Sequence, residues 1–357
     1  MEFLVQDALK SAELNKVQDV QIGQANIKVV GVGGGGGNAV SWLYKKGIQG
    51  AEIIAVNTDS QHLGIHQADK KILIGKERTR GLGAGGYPQV AAEAARETMM
   101  EIKDALKGAD MVFVCGGLGG GTATGAAPVV AQVAKEMGAI VIGTVTMPFD
   151  LEKARIDKAE FGLQQLRNTC DSCIVIDNNR LVAIAGNLPI QQAFAVANEL
   201  ISTMIKGIVE TIAVPSLVNL DYADVKAIMK SGGVCAMGVG DSDTTNRAEE
   251  AVRRALSNPL LDVSYEGATG ALIHIAGGPD LTLDEVSKIG EMISSSLDAD
   301  ANVIWGARVD DNMKGRVRVM TIIAGVNSPY ILGRLDNKTS SSEAKRMSRE
   351  LGIELLD

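Results

Sequence analysis

Along most of the chain, short runs of aliphatic and β-branched residues alternate with longer segments whose apolar positions recur at helical spacing. The first kind reads as strands, the second as helices. Ile27 to Gly31 is the first strand, and it runs straight into five glycines and an asparagine, Gly33 to Asn38. A helix is expected over Ala39 to Lys46, closed by Gly47, then a strand over Glu52 to Val56 that ends at Asn57, Thr58 and Asp59. Lys71 to Ile74 is a further strand, followed by a glycine loop, Gly81 to Gly86. The pattern predicts one helix from Gln89 to Lys107, a strand over Asp110 to Cys115 and a helix over Ala126 to Met137. Strands at Ala139 to Val145 and Ser172 to Ile176 continue the series. Strand and helix in turn predict an α/β fold on a Rossmann-like parallel sheet with helices on both faces.

Ile190 to Ile212 holds helical spacing without an internal proline or loop and stops ahead of Pro215. After it, helices at Asp224 to Lys230, Asn246 to Ser257 and Leu283 to Leu297 are interleaved with strands at Val234 to Val239, Gly270 to Ile275, Asn302 to Val309 and Arg316 to Ile323. That order predicts a second α/β domain with a mixed sheet. The expected organisation is an N-terminal helical extension (1–24), a first domain (25–188), a long central helix (189–214), a second domain (215–333) and a polar, flexible tail carrying a short recognition helix (334–357). The long helix is expected to lie between the domains.

Composition narrows the partners. A net charge of −8, with no compact basic patch, argues against nucleic acid. The N-terminus lacks the basic start and long apolar core of a signal peptide, and the longest apolar run, Met137 to Met147, is too short to span a bilayer. The four cysteines form no regular framework, as in a reducing compartment. A cytoplasmic protein is expected. Cys170 and Cys173 make a lone C-x-x-C with no second pair and no nearby histidine, so no zinc site is expected. His62 and His66 read as exposed polar residues.

The chemistry is concentrated in glycine loops. The apolar run Met111 to Val114 feeds a turn ending in Gly119, Gly120, Gly121, Thr122, Ala123, Thr124 and Gly125, with a helix behind it. Glycines let the backbone approach a ligand so that several N–H groups converge on one anion, and the helix adds its positive dipole end. No Gly-Lys-Ser or Gly-Lys-Thr follows any glycine cluster, so this is not a Walker A loop. Gly31, Gly33 and Gly36 satisfy G-x-G-x-x-G, with Glu52 where a dinucleotide enzyme keeps its ribose acid. An NAD-dependent oxidoreductase is therefore one reading. Three glycine loops after strands fit a nucleoside triphosphate better than a single pyrophosphate. Asp221 and Asp224, at i and i+3, share one face of a helix's first turn, either as caps or as carboxylates that polarise a water.

These motifs together resemble the FtsZ branch of the tubulin/FtsZ superfamily. The resemblance rests on residues 31–40, 56–59, 81–86, 119–125, Met147-Pro148-Phe149 and 219–225, which occur in the family's order and cover roughly Ile27 to Gly325. It implies a cell-division GTPase that binds GTP and GDP, with Mg2+ held mainly by phosphates and water and no metal cage of protein side chains. By position, Gly34, Gly35, Gly36, Gly37 and Asn38, with Gly119 to Gly125, would line the phosphates and nucleoside. Glu152 and Arg155 resemble the ribose-contacting pair, and Asn178 joins the nucleotide contacts. Phe194 would stack on guanine, and Asn198, one helical turn on, would bond its edge. Asn219, Asp221 and Asp224 resemble the loop that activates hydrolysis. The family logic implies head-to-tail homopolymers at the division site, with the active site completed by the neighbouring subunit. It also implies a membrane-anchoring division protein as partner of the tail. A non-hydrolysing relative is the other alternative, but both aspartates are present. Two departures stand out: Ala123 replaces a glycine, and the Glu152–Arg155 spacing is one residue short. If the long helix is straight, it separates the glycine cradle from Asp221 by roughly 30 Å, so one chain cannot close its own site. The tail lacks the familiar bacterial C-terminal peptide, which with the N-terminal extension leans toward an archaeal type.

Overall fold

A computed structural model describes residues 25–213, 217–218, 221–230, 233–257, 265 and 268–326. The expected N-terminal helix, the tail from 334 and Asn219 lie outside the described residues. Strand β1 (Ile27–Val32) enters helix α1 (Gly33–Lys46), and β2 (Ala51–Asn57), α2 (Ser60–Ile65), β3 (Lys70–Leu73) and α3 (Lys76–Thr79) follow. Then come α4 (Pro88–Glu97), α5 (Met99–Leu106), β4 (Met111–Gly117), α6 (Thr122–Glu136), β5 (Ile140–Met147), α7 (Ala154–Thr169) and β6 (Ser172–Asp177). Helices α8 (Asn178–Ala185) and α9 (Ile190–Ala213) lead to α10 (Tyr222–Lys230), β7 (Gly233–Ser242), α11 (Arg247–Leu256), β8 (Gly270–Gly277), α12 (Leu283–Ser294), β9 (Asn302–Val309) and β10 (Val317–Ala324).

The strand order is β3-β2-β1-β4-β5-β6-β7-β10-β8-β9. The first six strands are parallel, as the alternation predicts. In the second domain β10 runs antiparallel to both β7 and β8, while β9 is parallel to β8, which gives the expected mixed sheet. The two halves join into one ten-stranded sheet through a short parallel seam, Ser172 with Gly233 and Cys173 with Val234. One core cluster carries Val29, Phe113 and Ile174 from the first sheet, Met204, Ile205 and Ile208 from α9, and Met237, Met320 and Ile322 from the second. Helix α9 is thus packed between the halves. Gly207 permits the closest approach, because a Cβ there would sit 2.3 Å from the Met320 sulfur.

Several expectations need correction. Helix α1 starts at Gly33 rather than Ala39, and α6 at Thr122 rather than Ala126, so most of the glycine and threonine residues taken as loop form the helices' first turns. The helix expected over Gln89 to Lys107 is two helices that meet at Thr98 (φ −100°, ψ 18°). The buried Thr98 hydroxyl donates to the Ala94 carbonyl and accepts from Gly75 N–H, which diverts the backbone there. Helices α7 and α8 lie outside the elements expected from the pattern. In α7 the charged residues Arg155, Asp157, Lys158 and Glu160 break up its apolar stripe. His66 is buried rather than exposed, and burial pushes its pKa down to about 4, with His62 and Lys71 adding to the effect. Glu52 sits at the start of β2, beside and ion-paired with Lys28 on β1. That is the strand end opposite the loops, so Glu52 cannot reach a ribose and the dinucleotide reading loses its acid.

All four cysteines are buried free thiols, and burial pushes the Cys115 and Cys235 thiols up to about 12. No helix among the described residues is long and apolar enough to cross a membrane.

Helices α4 and α6 touch where a Cβ on Gly125 would lie 1.8 Å from the Pro88 carbonyl oxygen. Gly125→Ala is therefore expected to cost about 1–3 kcal/mol in urea denaturation. Gly64→Ala, at an open helical position, is expected to be neutral or stabilising by up to about 1 kcal/mol.

Candidate nucleotide site

Parallel pairing puts the carboxyl ends of β1 and β4 side by side, with Gly31 opposite Cys115 and Val32 opposite Gly116. The chain leaves both strands at the same edge, and α1 and α6 start there. Between them lies a cavity of about 400 Å³. One wall is Gly34, Gly35 and Asn38 of α1 with Gly120, Gly121, Thr122 and Ala123 of the second glycine turn. The facing wall holds Glu152, Arg155, Asn178, Phe194 and Asn198. The structure therefore brings twelve of the seventeen residues expected around a nucleotide to one space.

The glycine wall is built from backbone. Gly33 takes a φ of 71°, which an L side chain rarely adopts, and turns the chain from β1 into α1. A Cβ on Gly36 would lie 2.3 Å from the Cys115 carbonyl oxygen, so α1 and β4 meet without side chains between them. The N–H groups of the first turns of α1 and α6 have no intrahelical partners and face this space with the positive ends of two helix dipoles. Thr122 and Thr58 tie the second glycine turn to the segment after β2 through a 2.8 Å hydroxyl contact. No lysine lines the cavity; Glu152 and Arg155 are its charged residues, and they pair with each other at 2.6 Å.

Both departures from the family pattern are accommodated. Ala123 lies in the first turn of α6 in helical conformation, and its methyl group packs toward Gly116, where a Cβ would meet it at 3.0 Å. The short Glu152–Arg155 spacing becomes an i, i+3 ion pair, reached through Lys153, whose φ of 32° lies in the left-handed region. Glu152 also accepts from Phe149 N–H at 3.0 Å, which fixes its carboxylate. The Phe149 ring packs edge-on against Phe194, with centroids 6.0 Å apart, and Phe194, still partly exposed, lines the cavity.

Five expected contacts are not on the cavity wall. Gly36 and Gly37 back onto Cys115 and His66, and Gly125 packs on α4. Gly119 turns the loop at φ 93°, and its N–H donates to the buried Thr124 hydroxyl at 3.0 Å, so Thr124 shapes the turn from behind. These residues make the cradle possible without lining it. Conversely, Leu118, Thr144, Thr146, Ala197 and Ile201 do line it. The two threonines end β5 and point to the same face at period two, a signal visible in Thr144-Val145-Thr146.

The carboxylate pair is elsewhere. Asp221 is exposed and Asp224 half-buried at the start of α10. The Asp221 backbone carbonyl, not its side chain, accepts from Asp224 N–H at 3.0 Å and from Val225 N–H at 3.2 Å. Phe194 and Asn198 lie in the first turns of α9, and the Asp221 segment follows its far end. The 24 residues of α9 span about 36 Å at the α-helical rise.

Comparison with known proteins agrees with this architecture. The tubulin/FtsZ family GTPase domain matches residues 26–186, and the FtsZ family C-terminal domain matches residues 233–327. The chain is 55% identical to cell division protein FtsZ 2 of Methanocaldococcus jannaschii over 98% of this chain and 94% of that protein. It is 50% identical to cell division protein FtsZ 2 of Halobacterium salinarum over 98% of this chain and 90% of that protein. A solved FtsZ dimer from M. jannaschii, described as empty, superposes with a TM-score of 0.79 at 48% identity, covering 90% of this chain and 92% of its own. With a GTPase domain of this type ahead of the C-terminal domain that accompanies it, the chain belongs to the FtsZ family of cell-division GTPases.

Proposed function

We propose that GTP occupies the cavity between α1, α6 and α9, and that it is hydrolysed when a second copy of the chain docks head-to-tail over it. The observation that carries this reading is the length of α9: Phe194 and Asn198 lie in its first half, and from Phe194 the helix runs on for about 29 Å to Ala213 before the chain reaches Asp221. A chain so arranged cannot apply its own carboxylates to its own nucleotide. A heterologous contact that repeats without closing a ring makes a filament, so assembly and turnover become one event. The solved relative described as an FtsZ dimer supports a two-copy reading.

Each residue's role follows from its chemistry. The Phe194 face holds the base, and the Asn198 carbonyl opposite the N1–H and exocyclic amine prefers guanine to adenine. Glu152 and Arg155, locked as a pair, meet the ribose, and Asn178 lies beside them. Backbone N–H groups of Gly34, Gly35 and Gly120 to Ala123 hold the phosphates in place of a lysine. Asp221 and Asp224 of the second copy, with its Asn219, orient and polarise the attacking water. Among the described residues no three His, Cys, Asp or Glu side chains gather in a way that would hold a metal ion. Mg2+ would be held mainly by phosphate oxygens and water, and when bound it would neutralise charge on the phosphates.

Both ends carry exposed apolar side chains. Beside the cavity, Leu151 is 81% exposed, near exposed Val182 and Leu188, and they border an apolar hollow with Phe149 and Phe194. At the far end, next to the Val218–Ala307 bridge, Leu217 is 77% exposed. Filaments of this chain would serve the division site, with the tail beyond 334 docking a membrane-anchoring division protein.

Phe194→Ala is expected to weaken GTP binding by about 1–3 kcal/mol in calorimetry, the range for losing a base-stacking ring. Normal affinity in that variant would place the base elsewhere. Asp221→Ala and Asp224→Ala are each expected to retain GTP affinity while phosphate release falls about 100-fold or more. Mixing Asp221→Ala with Phe194→Ala protein should restore part of the lost phosphate release, because an intact cavity can then meet an intact Asp221. A fully active aspartate variant would mean that the carboxylates take no part in the chemistry.

A further inference from the structure

The helix that carries the carboxylate pair is tied to the first domain by a tyrosine. Tyr222 is the first residue of α10, directly after Asp221 and two residues before Asp224. Its hydroxyl donates to the Asp110 carbonyl at 2.6 Å, between residues 112 positions apart in the chain. The ring is half-buried against the core cluster that both halves share. Lys226, one helical turn on, places its Nζ over the ring face, 5.8 Å from the centroid. Burial, with the Asp110 and Asp171 charges adding to it, holds the phenol pKa above its ordinary value, so the group is a donor throughout the neutral range.

Asp110 is a fixed point. It stands one residue before β4, its carboxylate accepts from Asn26 N–H at 2.8 Å, and its own N–H donates to the Asn26 carbonyl at 2.8 Å, just ahead of β1. Its carbonyl also accepts at 2.9 Å from the N–H of Ile140, the first residue of β5. Ile140 and Tyr222 together use both lone pairs of that carbonyl. Tyr222 is thus fastened where β1, β4 and β5 begin, and β1 and β4 are the strands whose carboxyl ends open into the cradle. The body of α10 belongs to the second domain: Val225, Ile228 and Met229 are buried, and a Cβ on Gly270 of β8 would lie 3.7 Å from the Ile228 side chain. The first turn of α10 is therefore held by one domain and the rest of the helix by the other.

We propose that Tyr222 is a positioning residue for GTP hydrolysis: by fastening the first turn of α10 to the amino end of β4, its hydroxyl holds Asp221 and Asp224 in the orientation they present to the nucleotide of a second copy. The proposal rests on the reading that these carboxylates act on that nucleotide. Groups that orient a water must be held closely, whereas the ends of helices fray. A hydroxyl anchored on a strand start restrains that fraying, and it restrains it in the residue next to Asp221. The anchor also lies at the strand ends opposite the cradle, so its loss leaves nucleotide binding by the same chain undisturbed. Binding and turnover are therefore separable at this residue.

Tyr222→Phe removes the hydroxyl and keeps the ring with its packing. Phosphate release would be measured on the full chain at saturating protein with GTP varied, alongside GDP affinity by calorimetry and thermal melts as the fold check. The kcat of the variant is expected to fall about fivefold or more, the scale of one lost hydrogen bond, with KM and GDP affinity unchanged. An unchanged kcat, or a fall in GDP affinity that matches the fall in kcat, would overturn the proposal. A second measurement separates positioning from general support of the fold. In a mixture of Asp221→Ala and Phe194→Ala chains, at GTP concentrations that fill only the intact cavity, the recovered release depends on the α10 start of the Phe194→Ala chain. Tyr222→Phe added to that chain should lower the recovered release by the factor seen in kcat. Added to the Asp221→Ala chain, whose carboxylate is already gone, it should lower it no further, and an equal loss in both placements would overturn the proposal. Asp221→Ala alone is the control on the underlying reading. If that variant is fully active, the carboxylate assignment is what fails; if it is inactive while Tyr222→Phe turns over at the unaltered rate, only the role of Tyr222 fails.

Discussion

The arrangement depends on one steric constraint: two helices and two strand ends must come together with no side chains between them. Gly36 against the Cys115 carbonyl, and Gly31 against the Gly36 carbonyl, are contacts that a single methyl group would prevent. Because these backbones touch, the first turns of α1 and α6 open onto the same 400 Å³ space, and their unpaired N–H groups can act on one anion. Separating either pair by the width of a methyl group would pull the donors off a common target. Glycine here is thus a requirement of packing first and of ligand approach second.

Much of this was legible in the sequence because period and punctuation agreed. The six parallel strands, the long helix and the mixed second sheet all follow from runs of apolar residues bounded by turn residues. The boundaries were less legible where chemistry overrode propensity. Glycine disfavours helix interiors, yet Gly33 to Gly37 are helical because α1 packs closely on β4. The Thr98 break could not be read locally, since it depends on a hydrogen bond to Gly75, distant in sequence.

The site shows the same division. Motif position identified twelve residues of the cavity wall, but it could not separate residues that face the space from those that shape it. Thr122 and Thr124 are two apart in one motif; on a helix that spacing points them in different directions, one to the neighbouring loop and one back to Gly119. His62 carries no motif at all. Its place against Gly34 arises from the fold, where α2 packs against the start of α1.

The buried thiols have a consequence of a different kind. A thiol whose pKa is near 12, as for Cys115 and Cys235, is thiolate in only about one molecule in 10⁵ at neutral pH, and the thiolate is the reactive form. With no cysteine exposed among the four, an alkylating reagent finds nothing to modify on the folded surface. Its slow consumption would instead count the moments at which the interior opens, with each cysteine timing its own region: Cys115 the strand beneath the cradle, Cys170 the approach to the seam, Cys173 the seam itself, and Cys235 the first strand beyond it. The chain thus carries a chemical clock for its own breathing.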